Sequence, residues 1–149
     1  MNINFLPLTG LADLTMLQSW WNQDEELRYR ICFPTLQWFD YVTTEPTEHA
    51  LIAYEGGEAI GSVQWTLQED GTVGFDLAVR PDRRGRGYGR RVLHALLQLP
   101  ELAAVPILWG GIEPDNEASL RCCRAVGFTI ESYPDDPSMV KAVYRRHHV

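Results

Sequence analysis

The sequence contains a single lysine, Lys141, among its 13 basic residues. A phosphate-binding loop of the Walker type needs a lysine directly after its last glycine, and no such pair occurs, which excludes that class of nucleotide site. Only three cysteines are present, and two of them, Cys122 and Cys123, are adjacent. An odd, partly adjacent set does not make a disulfide framework and favours a reducing compartment. We therefore expect a cytoplasmic protein.

Long apolar runs are also missing. No uninterrupted stretch of about 18 apolar residues occurs, and the first residues lack a basic segment and reach Asp13 too early for a secretory signal. We accordingly expect no membrane partner. The 149 residues, 45% hydrophobic and 22% charged, are typical of one globular domain. We expect a single domain over residues 1–149 that acts as a monomer or a homodimer.

Positive charge is scarce overall but locally concentrated. Twenty acidic residues against 13 basic ones give a formal net charge of −7. Residues 80–91 nevertheless hold six arginines and one acid, Asp82, a local charge of +5, which leaves −12 on the rest. Nucleic-acid binding depends on broad neutralisation of phosphates, so we expect no nucleic-acid partner, although binding through these arginines is kept as an alternative. The pattern favours a local site for a small anion.

Hydrophobic periodicity predicts the elements of the first half. Alternation over residues 2–8 predicts a strand, and Thr9 is placed to cap the amphipathic helix that follows. One or two short helices are predicted between residues 24 and 45, the second over about 35–42. Residues 49–79 predict three antiparallel strands joined by tight turns.

The second half alternates helices with strands. Apolar spacing over residues 92–99 predicts a helix that the next proline ends. A strand is expected at 106–109, then a helix that Asp115 or Asn116 caps and Gly127 ends, then two strands. An antiparallel meander followed by alternating elements predicts an α/β fold with a mixed sheet and helices on both faces.

The glycine-rich segment RGRGYG, residues 84–89, lies between a predicted strand and a predicted helix. Backbone N–H groups at a helix N-terminus attract phosphate, and the glycines let the chain curl so that several N–H groups converge. A dinucleotide fingerprint would need glycine where Arg90 stands, which argues against that class of site. The candidate phosphate-binding residues are Arg84, Gly85, Arg86, Gly87, Tyr88, Gly89 and Arg90.

Two segments carry a family resemblance. LAVRPDRRGRGYGRRVLHAL resembles the acetyl-CoA signature of the GNAT N-acetyltransferase superfamily: Arg or Gln, two residues, Gly, one residue, then Gly or Ala. NEASLRCCRAVGF resembles the second signature of the same family. The residues that fill the two patterns are Arg84, Gly87 and Gly89 in the first, and Asn116, Ser119, Gly127 and Phe128 in the second. The resemblance covers residues 49–147, and residues 74–79, GFDLAV, resemble the strand-four segment of aminoglycoside 6′-type members.

The resemblance implies a central mixed sheet of six to seven strands, flanked by about four helices, with strands four and five splayed apart. The pantetheine arm of acetyl-CoA, the implied co-substrate, would lie between them. The backbones of Leu77 and Val79, with Ala78 between them, would bind that arm, and Asn116 and Ser119 would lie on its other side. The amides of residues 84–89 would hold the diphosphate. The four histidines, at 49, 94, 147 and 148, have no ligand spacing, so we expect no metal.

One family residue is replaced. The tyrosine proposed in the family to protonate the departing CoA thiolate aligns with Cys123. A cysteine thiol can donate a proton, since its reference pKa is about 8.5, but its hydrogen bonds are weak. Cys123 is therefore either the acid or a small core residue. Tyr88, Tyr144 or solvent are alternative proton donors.

The reaction also needs a base. An amine with a pKa near 10.4 is mostly charged at pH 7, and deprotonating it costs about 4.6 kcal/mol. Asp76 and Glu113 are the candidates, one on the fourth strand and one after the fifth. In aminoglycoside 6′-type members an aspartate at the Asp76 position is the proposed base, whereas histone-type members use a glutamate where this chain has Val73. Asp76 is alternatively an ordinary strand carboxylate.

The acceptor is less well defined by the sequence. The acidic remainder of the chain favours a cationic or amine-bearing acceptor. Acids of the first helices, or tryptophans, are candidates to line its site: Asp24, Glu25, Glu26, Trp20, Trp21, Trp38 and Trp109. The leading hypothesis is direct transfer of acetyl from acetyl-CoA to the primary amine of a small molecule or peptide. The alternative is a catalytically weak module that binds or senses acyl-CoA.

Overall fold

The computed structural model describes residues 2–146, so His147 and His148 lie outside the described residues. Its centre is one seven-stranded sheet in the order β1-β2-β3-β4-β5-β7-β6. The strands are β1 (Asn4–Pro7), β2 (Glu48–Glu55), β3 (Glu58–Leu67), β4 (Val73–Val79), β5 (Ile107–Ile112), β6 (Thr129–Ser132) and β7 (Val140–Arg145). Neighbouring strands are antiparallel except β4 and β5, which are parallel. The predicted mixed sheet is confirmed.

Five α-helices occur in the described part of the chain: α1 (Leu11–Asn22), α2 (Glu25–Arg30), α3 (Leu36–Thr44), α4 (Tyr88–Leu97) and α5 (Glu117–Val126). Short 3-10 turns follow β4 at Pro81–Arg83 and α4 at Pro100–Leu102. The stretch between residues 24 and 45 thus forms two short helices, the larger of the two numbers allowed by the sequence. No helix within residues 2–146 has the length and apolarity required to cross a bilayer.

The helix ends follow from local side chains, with one exception to the prediction. Thr35 and Asn116 cap α3 and α5, and Gly127 ends α5 in the left-handed region at φ 111°. Thr9, however, does not cap α1. The N-cap is Gly10, and the Thr9 backbone N–H donates to Asp13 Oδ2 at 3.1 Å. The prediction for Thr9 was wrong because Asp13, inside the first turn, reaches back to the chain before the helix.

The sheet separates two apolar cores. Helices α4 and α5 pack on one face, where Val92, Leu96 and Leu108 are fully buried. Helices α1 to α3 pack on the other, around Leu17 and Trp21. Successive side chains of a strand point to opposite faces, so β4 contributes to both cores. Phe75 and Leu77 pack on the first core and Ala78 on the second.

Strands β4 and β5 pair over only two positions, Val73 with Leu108 and Gly74 with Trp109. By contrast, β4 is paired with β3 along its whole length. The Trp109 ring lies against Gly74, where an added Cβ would be 3.2 Å from the ring. Beyond this point the two strands separate, and the expected splay is present.

Gly61 lies where the backbones of β3 and β4 approach closely, and a substitution there tests this packing. A Cβ on Gly61 would lie 2.8 Å from the carbonyl oxygen of Ala78, which is backbone and cannot rotate away. We expect Gly61→Ala to lower the free energy of unfolding by about 1–3 kcal/mol, measured by urea denaturation. The matched control is Gly89→Ala, because its Cβ would make ordinary contacts at 3.6 Å and alanine favours helix. A Gly61→Ala protein as stable as wild type would contradict the packing described.

Candidate active site

The separation of β4 from β5 opens a groove of about 1010 Å³. Its walls are the C-terminal part of β4, the end of β5, the loop before α4, most of the length of α5 and residues of α2. All but one of the residues predicted to bind the cofactor or to act in catalysis line this groove: Asp76, Leu77, Ala78, Val79, Arg84, Gly85, Gly87, Tyr88, Gly89, Arg90, Glu113, Asn116, Ser119 and Cys123. The exception is Arg86, whose side chain is exposed outside the groove.

The backbone of β4 offers alternate residues to the groove. The Arg80 N–H donates to the Ile60 carbonyl at 2.9 Å, so Arg80 and, two residues earlier, Ala78 form hydrogen-bonded pairs with β3. Leu77 and Val79 therefore direct their N–H and C=O groups to the opposite side, where β5 has already moved away. An extended arm can pair with that edge as an added strand.

Ala78 is a correction to the predicted set. Its carbonyl faces β3, close to Gly61, and its side chain packs in the core below α1 to α3. Its backbone groups are thus used within the sheet. Of the three predicted β4 residues, only Leu77 and Val79 present main-chain groups to a ligand in the groove.

The loop before α4 gathers backbone donors. Gly85 and Gly87 have φ values of 75° and 79°, a left-handed conformation that other residues adopt with strain. Within residues 2–146, none of the six consecutive N–H groups of residues 85–90 donates to a protein acceptor. The first turn of α4 has no acidic residue. This cluster of N–H groups fits a diphosphate, since hydrogen bonds to charged groups contribute about 1.5–3 kcal/mol each.

More of the arginines beside this loop are engaged in ion pairs than the sequence indicates. Four of the six form ion pairs with acids, three of them from other elements: Arg80 with Asp82, Arg83 with Glu58, Arg84 with Asp24 and Arg91 with Glu55. No ion pair is seen for Arg86 or Arg90 in the described chain. The local charge of +5 is therefore partly neutralised by the fold, and the backbone amides carry more of the phosphate site than expected.

Asn116 caps α5 and also lines the groove. Its Oδ1 accepts a hydrogen bond from the Ser119 backbone N–H at 3.3 Å and so caps α5. The side chain also lines the groove, which leaves its amide NH₂ available to a ligand. The helix cap fixes the side chain in position, so the two roles support each other.

Helix α2 crosses the groove and is tied down at both ends. At its start Asp24 caps the helix through the Leu27 N–H and pairs with Arg84. Arg84 belongs to the glycine-rich segment that leads into α4, residues 84–89, here called the phosphate loop after its predicted ligand. This hydrogen bond from Arg84 lowers the pKa of Asp24 below its usual value. At its end Arg30 reaches the loop after β5, with Nη1 at 2.7 Å from Asp115 Oδ1 and 3.5 Å from Glu113 Oε1.

Sequence reasoning missed Arg30. Its partner Asp115 is 85 residues away in the chain, and no local pattern connects an arginine in an irregular stretch with a loop after a distant strand. Of the acids of the same stretch, Glu26 lines the groove but pairs with Arg30, and Asp24 pairs with Arg84. Glu25 lines neither the groove nor the cavity described next.

A second cavity of about 250 Å³, here called the side cavity, lies between the sheet and helices α1 to α3. Most of its lining is apolar, including Leu17, Trp21, Ile31, Trp38 and Ile52. It adjoins the groove because both are lined by Arg30, Ile31, Asp76, Leu77 and Ala78. Of the four tryptophans proposed to contact an acceptor, Trp21 and Trp38 are placed here, whereas Trp20 and Trp109 are not.

Asp76 lies where the groove and the side cavity meet. Its side chain is exposed in the groove, and no ion pair to it is seen within residues 2–146. Partial desolvation by the neighbouring walls, and secondarily the negative charge of Glu113, raises the pKa of Asp76. Glu113 by contrast lies 3.5 Å from the Arg30 guanidinium. Val73, at the position of the alternative base, is fully buried.

Cys123 is a core residue. It is 6% exposed, and burial, with a smaller effect from Cys122, raises its pKa to about 12. Such a thiol is a poorer acid than an exposed one with a pKa of about 8.5. We therefore do not retain it as the proton donor. Tyr88 points its hydroxyl to Glu55 at 3.3 Å, and Tyr144 packs against Phe128 outside the groove.

No cluster of three or more metal-ligating side chains occurs within residues 2–146. Neither of the two described histidines, His49 and His94, belongs to a cluster of metal-ligating side chains. His49 stacks on Trp65 at 3.8 Å between ring centroids, and His94 lies in the last turn of α4.

Comparison with known proteins identifies the architecture. The model of the acetyltransferase (GNAT) family matches residues 14–128. The chain belongs to the GNAT acetyltransferase family. It is thus an acyltransferase that uses acetyl-CoA, and the resemblance found in its two signature segments is confirmed.

Related GNAT proteins match over most of the chain. The uncharacterized N-acetyltransferase YfmK of Bacillus subtilis is 31% identical over 136 residues, which cover 89% of this chain and 90% of that protein. An L-methionine sulfoximine/L-methionine sulfone acetyltransferase of Pseudomonas aeruginosa is 31% identical over 98 residues, 62% of this chain and 57% of the relative.

Solved structures share the fold. The aminoglycoside acetyltransferase AAC(6')-Ib, in complex with coenzyme A and kanamycin, superposes with a TM-score of 0.80 at 24% identity over 97% of this chain and 95% of that one. The N-acetyltransferase PseH of Campylobacter jejuni, in complex with acetyl coenzyme A, gives 0.77 at 12% identity over 97% and 99%. These likenesses establish the GNAT fold.

The ion pair between Asp24 and Arg84 generates a prediction for this GNAT chain. If Arg84 binds a phosphate of CoA, as the resemblance implies, the phosphate competes with Asp24 for the guanidinium, and removal of the Asp24 charge frees Arg84. We expect Asp24→Asn, which keeps a good helix cap, to tighten CoA binding by about two- to fivefold at low salt, measured by calorimetry. Glu25→Gln removes the same charge one residue away and controls for the general field. Equal effects of the two variants would contradict the competition.

Proposed function

We propose that this GNAT protein transfers the acetyl group of acetyl-CoA directly to a primary amine, with Asp76 as the general base. The observation that carries the proposal is the position of Asp76 at the junction of the groove and the side cavity. Acetyl-CoA supplies an activated acyl group with a thiolate leaving group. The residues of the chain bind it, orient the amine and remove a proton.

The groove supports the binding part of the proposal. Leu77 and Val79 offer main-chain groups to the pantetheine arm from one side and Asn116 an amide from the other. The N–H groups of residues 85–90 bind the diphosphate. These contacts direct the thioester end of the arm towards the inner end of the groove, where Asp76 is located.

Asp76 supports the chemical part. In the reaction the amine nitrogen bonds to the acetyl carbon, the C–S bond breaks, and one proton of the ammonium has to leave. A carboxylate with a raised pKa is a stronger base than an ordinary one, which favours proton removal. Asp76 takes this proton, directly or through water, and passes it to solvent or to the departing thiolate. No covalent enzyme intermediate is needed.

Glu113 and Arg30 assist in this proposal. Glu113 raises the proton affinity of Asp76 by its negative charge, and Arg30 holds Glu113 and Asp115 at the end of α2. The acidic surroundings favour a protonated amine over a neutral molecule on approach.

A cytoplasmic location, favoured by the odd number of cysteines, is part of the same proposal. So is a single domain that works as a monomer or homodimer.

The pH profile tests the role of Asp76. A base has to be ionised to act, so kcat/KM falls as the pH drops through the raised pKa of Asp76. This fall occurs at a higher pH than it would for an ordinary aspartate. We expect Asp76→Asn to lower kcat by about 10²–10⁴-fold, to remove this acid limb and to leave the Kd for CoA nearly unchanged. Turnover is followed by the release of free thiol.

Glu113→Gln is the matched variant. It removes the charge that faces Asp76, so the acid limb should move to lower pH while most of the activity remains. If instead Glu113→Gln abolishes turnover and Asp76→Asn does not, Glu113 is the base. CoA binding without turnover on any amine would support the alternative of a binding or sensing module.

Cys123→Ala tests the proton donor. A general acid contributes about 10²–10⁴-fold, whereas a buried core residue contributes to stability alone. We expect kcat at saturating substrates to change by less than about tenfold and the urea midpoint to fall slightly. A loss of kcat in the range of a general acid, at unchanged CoA affinity, would restore Cys123 as the acid.

A further inference from the structure

The side cavity differs from the groove in its chemistry. Its walls come from hydrophobic residues of α1, β2, β3 and the segment between α2 and α3. Asp76 is the one carboxylate among the described residues that line it, and Arg30 is the one cation. A ligand that fills it therefore meets one carboxylate, one guanidinium, the polar side chains of Ser62 and Gln64, and a surface that is otherwise mainly apolar.

The polar atoms of its two tryptophans are already engaged. Trp21 Nε1 donates to the Ile31 carbonyl at 3.0 Å, and Trp38 Nε1 donates to Gln64 Oε1 at 2.9 Å. These rings consequently present their hydrocarbon faces to the cavity. Buried apolar walls of this kind favour hydrocarbon over hydrated polar groups.

The wall of the side cavity formed by the segment between α2 and α3 is in place before any ligand binds. Besides the Trp21 bond to Ile31, Gln18 Nε2 donates to the Pro34 carbonyl at 3.0 Å. Both bonds fix the segment between α2 and α3 to α1. A preformed pocket binds its ligand without the cost of ordering a loop.

The side cavity has room for a compact group of the acceptor. Its volume is about 250 Å³, and it opens into the groove beside Asp76. An alkyl or aralkyl amine with a six- to eight-carbon body matches this volume. A polycation would in addition place its second ammonium against apolar walls or beside Arg30, with no second carboxylate to pair it.

From these observations we infer that the acceptor is a primary monoamine with a compact apolar body, its ammonium at Asp76 and its hydrocarbon part in the side cavity. The inference rests on the proposed function and names its substrate class. It separates this chain from acetyltransferases of polycationic or strongly hydroxylated amines.

A homologous series of amines tests the inference. With saturating acetyl-CoA, kcat/KM is measured for ethylamine, butylamine, hexylamine and phenethylamine, and for spermidine and kanamycin. Each methylene that enters an apolar pocket gains about fourfold. We expect a steady rise from ethylamine to hexylamine, high activity with phenethylamine, and lower kcat/KM for both polycations.

Two substitutions of alanine by leucine test whether the hydrocarbon part of the amine binds in the side cavity. Ala50 lines the side cavity, whereas Ala59, also a half-buried strand residue below α1 to α3, does not. Ala50→Leu should lower kcat/KM for hexylamine and phenethylamine by at least tenfold and for ethylamine much less. Ala59→Leu should leave the order of amines unchanged. The Kd for CoA reports whether each variant is folded.

Several results would overturn the inference. A flat alkyl series, or spermidine or kanamycin as the better substrate, refutes the substrate class while the proposed function stands. A flat amine series combined with faster use of hexanoyl-CoA than acetyl-CoA assigns the cavity to the acyl chain instead. CoA binding without turnover of any amine refutes the proposed function itself, and the inference with it.

Discussion

The separation of β4 from β5 beyond Gly74 and Trp109 is the constraint on which the rest of the structure depends. Two parallel strands that stayed paired would satisfy each other's backbone groups and leave no groove. Because they part, alternate N–H and C=O groups of β4 face a ligand site inside an otherwise continuous sheet. The same divergence brings the phosphate loop, Asn116 and Asp76 around one space.

Charge in this protein is organised by pairing. Three of the six arginines near the phosphate loop pair with acids from other elements, and α2 is attached across the groove by Asp24 at one end and Arg30 at the other. Asp76 differs from the other acids of the site in being placed beside hydrocarbon and Glu113. Its raised pKa is therefore a direct consequence of where the strand places it.

The sequence was sufficient for the fold class and for the glycine-rich turn before α4, because both depend on local signals: periodicity, glycines and helix caps such as Asn116. It was insufficient where distant segments meet. The pairing of Arg30 with Asp115, the neutralisation of Arg84 and the inward-facing carbonyl of Ala78 all depend on strand register or on contacts across the sheet. The side cavity likewise depends on α2 and α3, whose boundaries had weak local signals.

Amide hydrogen exchange at β4 tests the central claim most directly. With CoA absent, the Leu77 and Val79 N–H groups should exchange faster than that of Ala78, which donates within the sheet. Saturation with CoA should slow Leu77 and Val79 selectively and leave Ala78 nearly unchanged, because the bound arm pairs with the open edge of the strand. If CoA binds and the exchange of Leu77 and Val79 stays the same, the splayed strand is not the binding edge and the account fails.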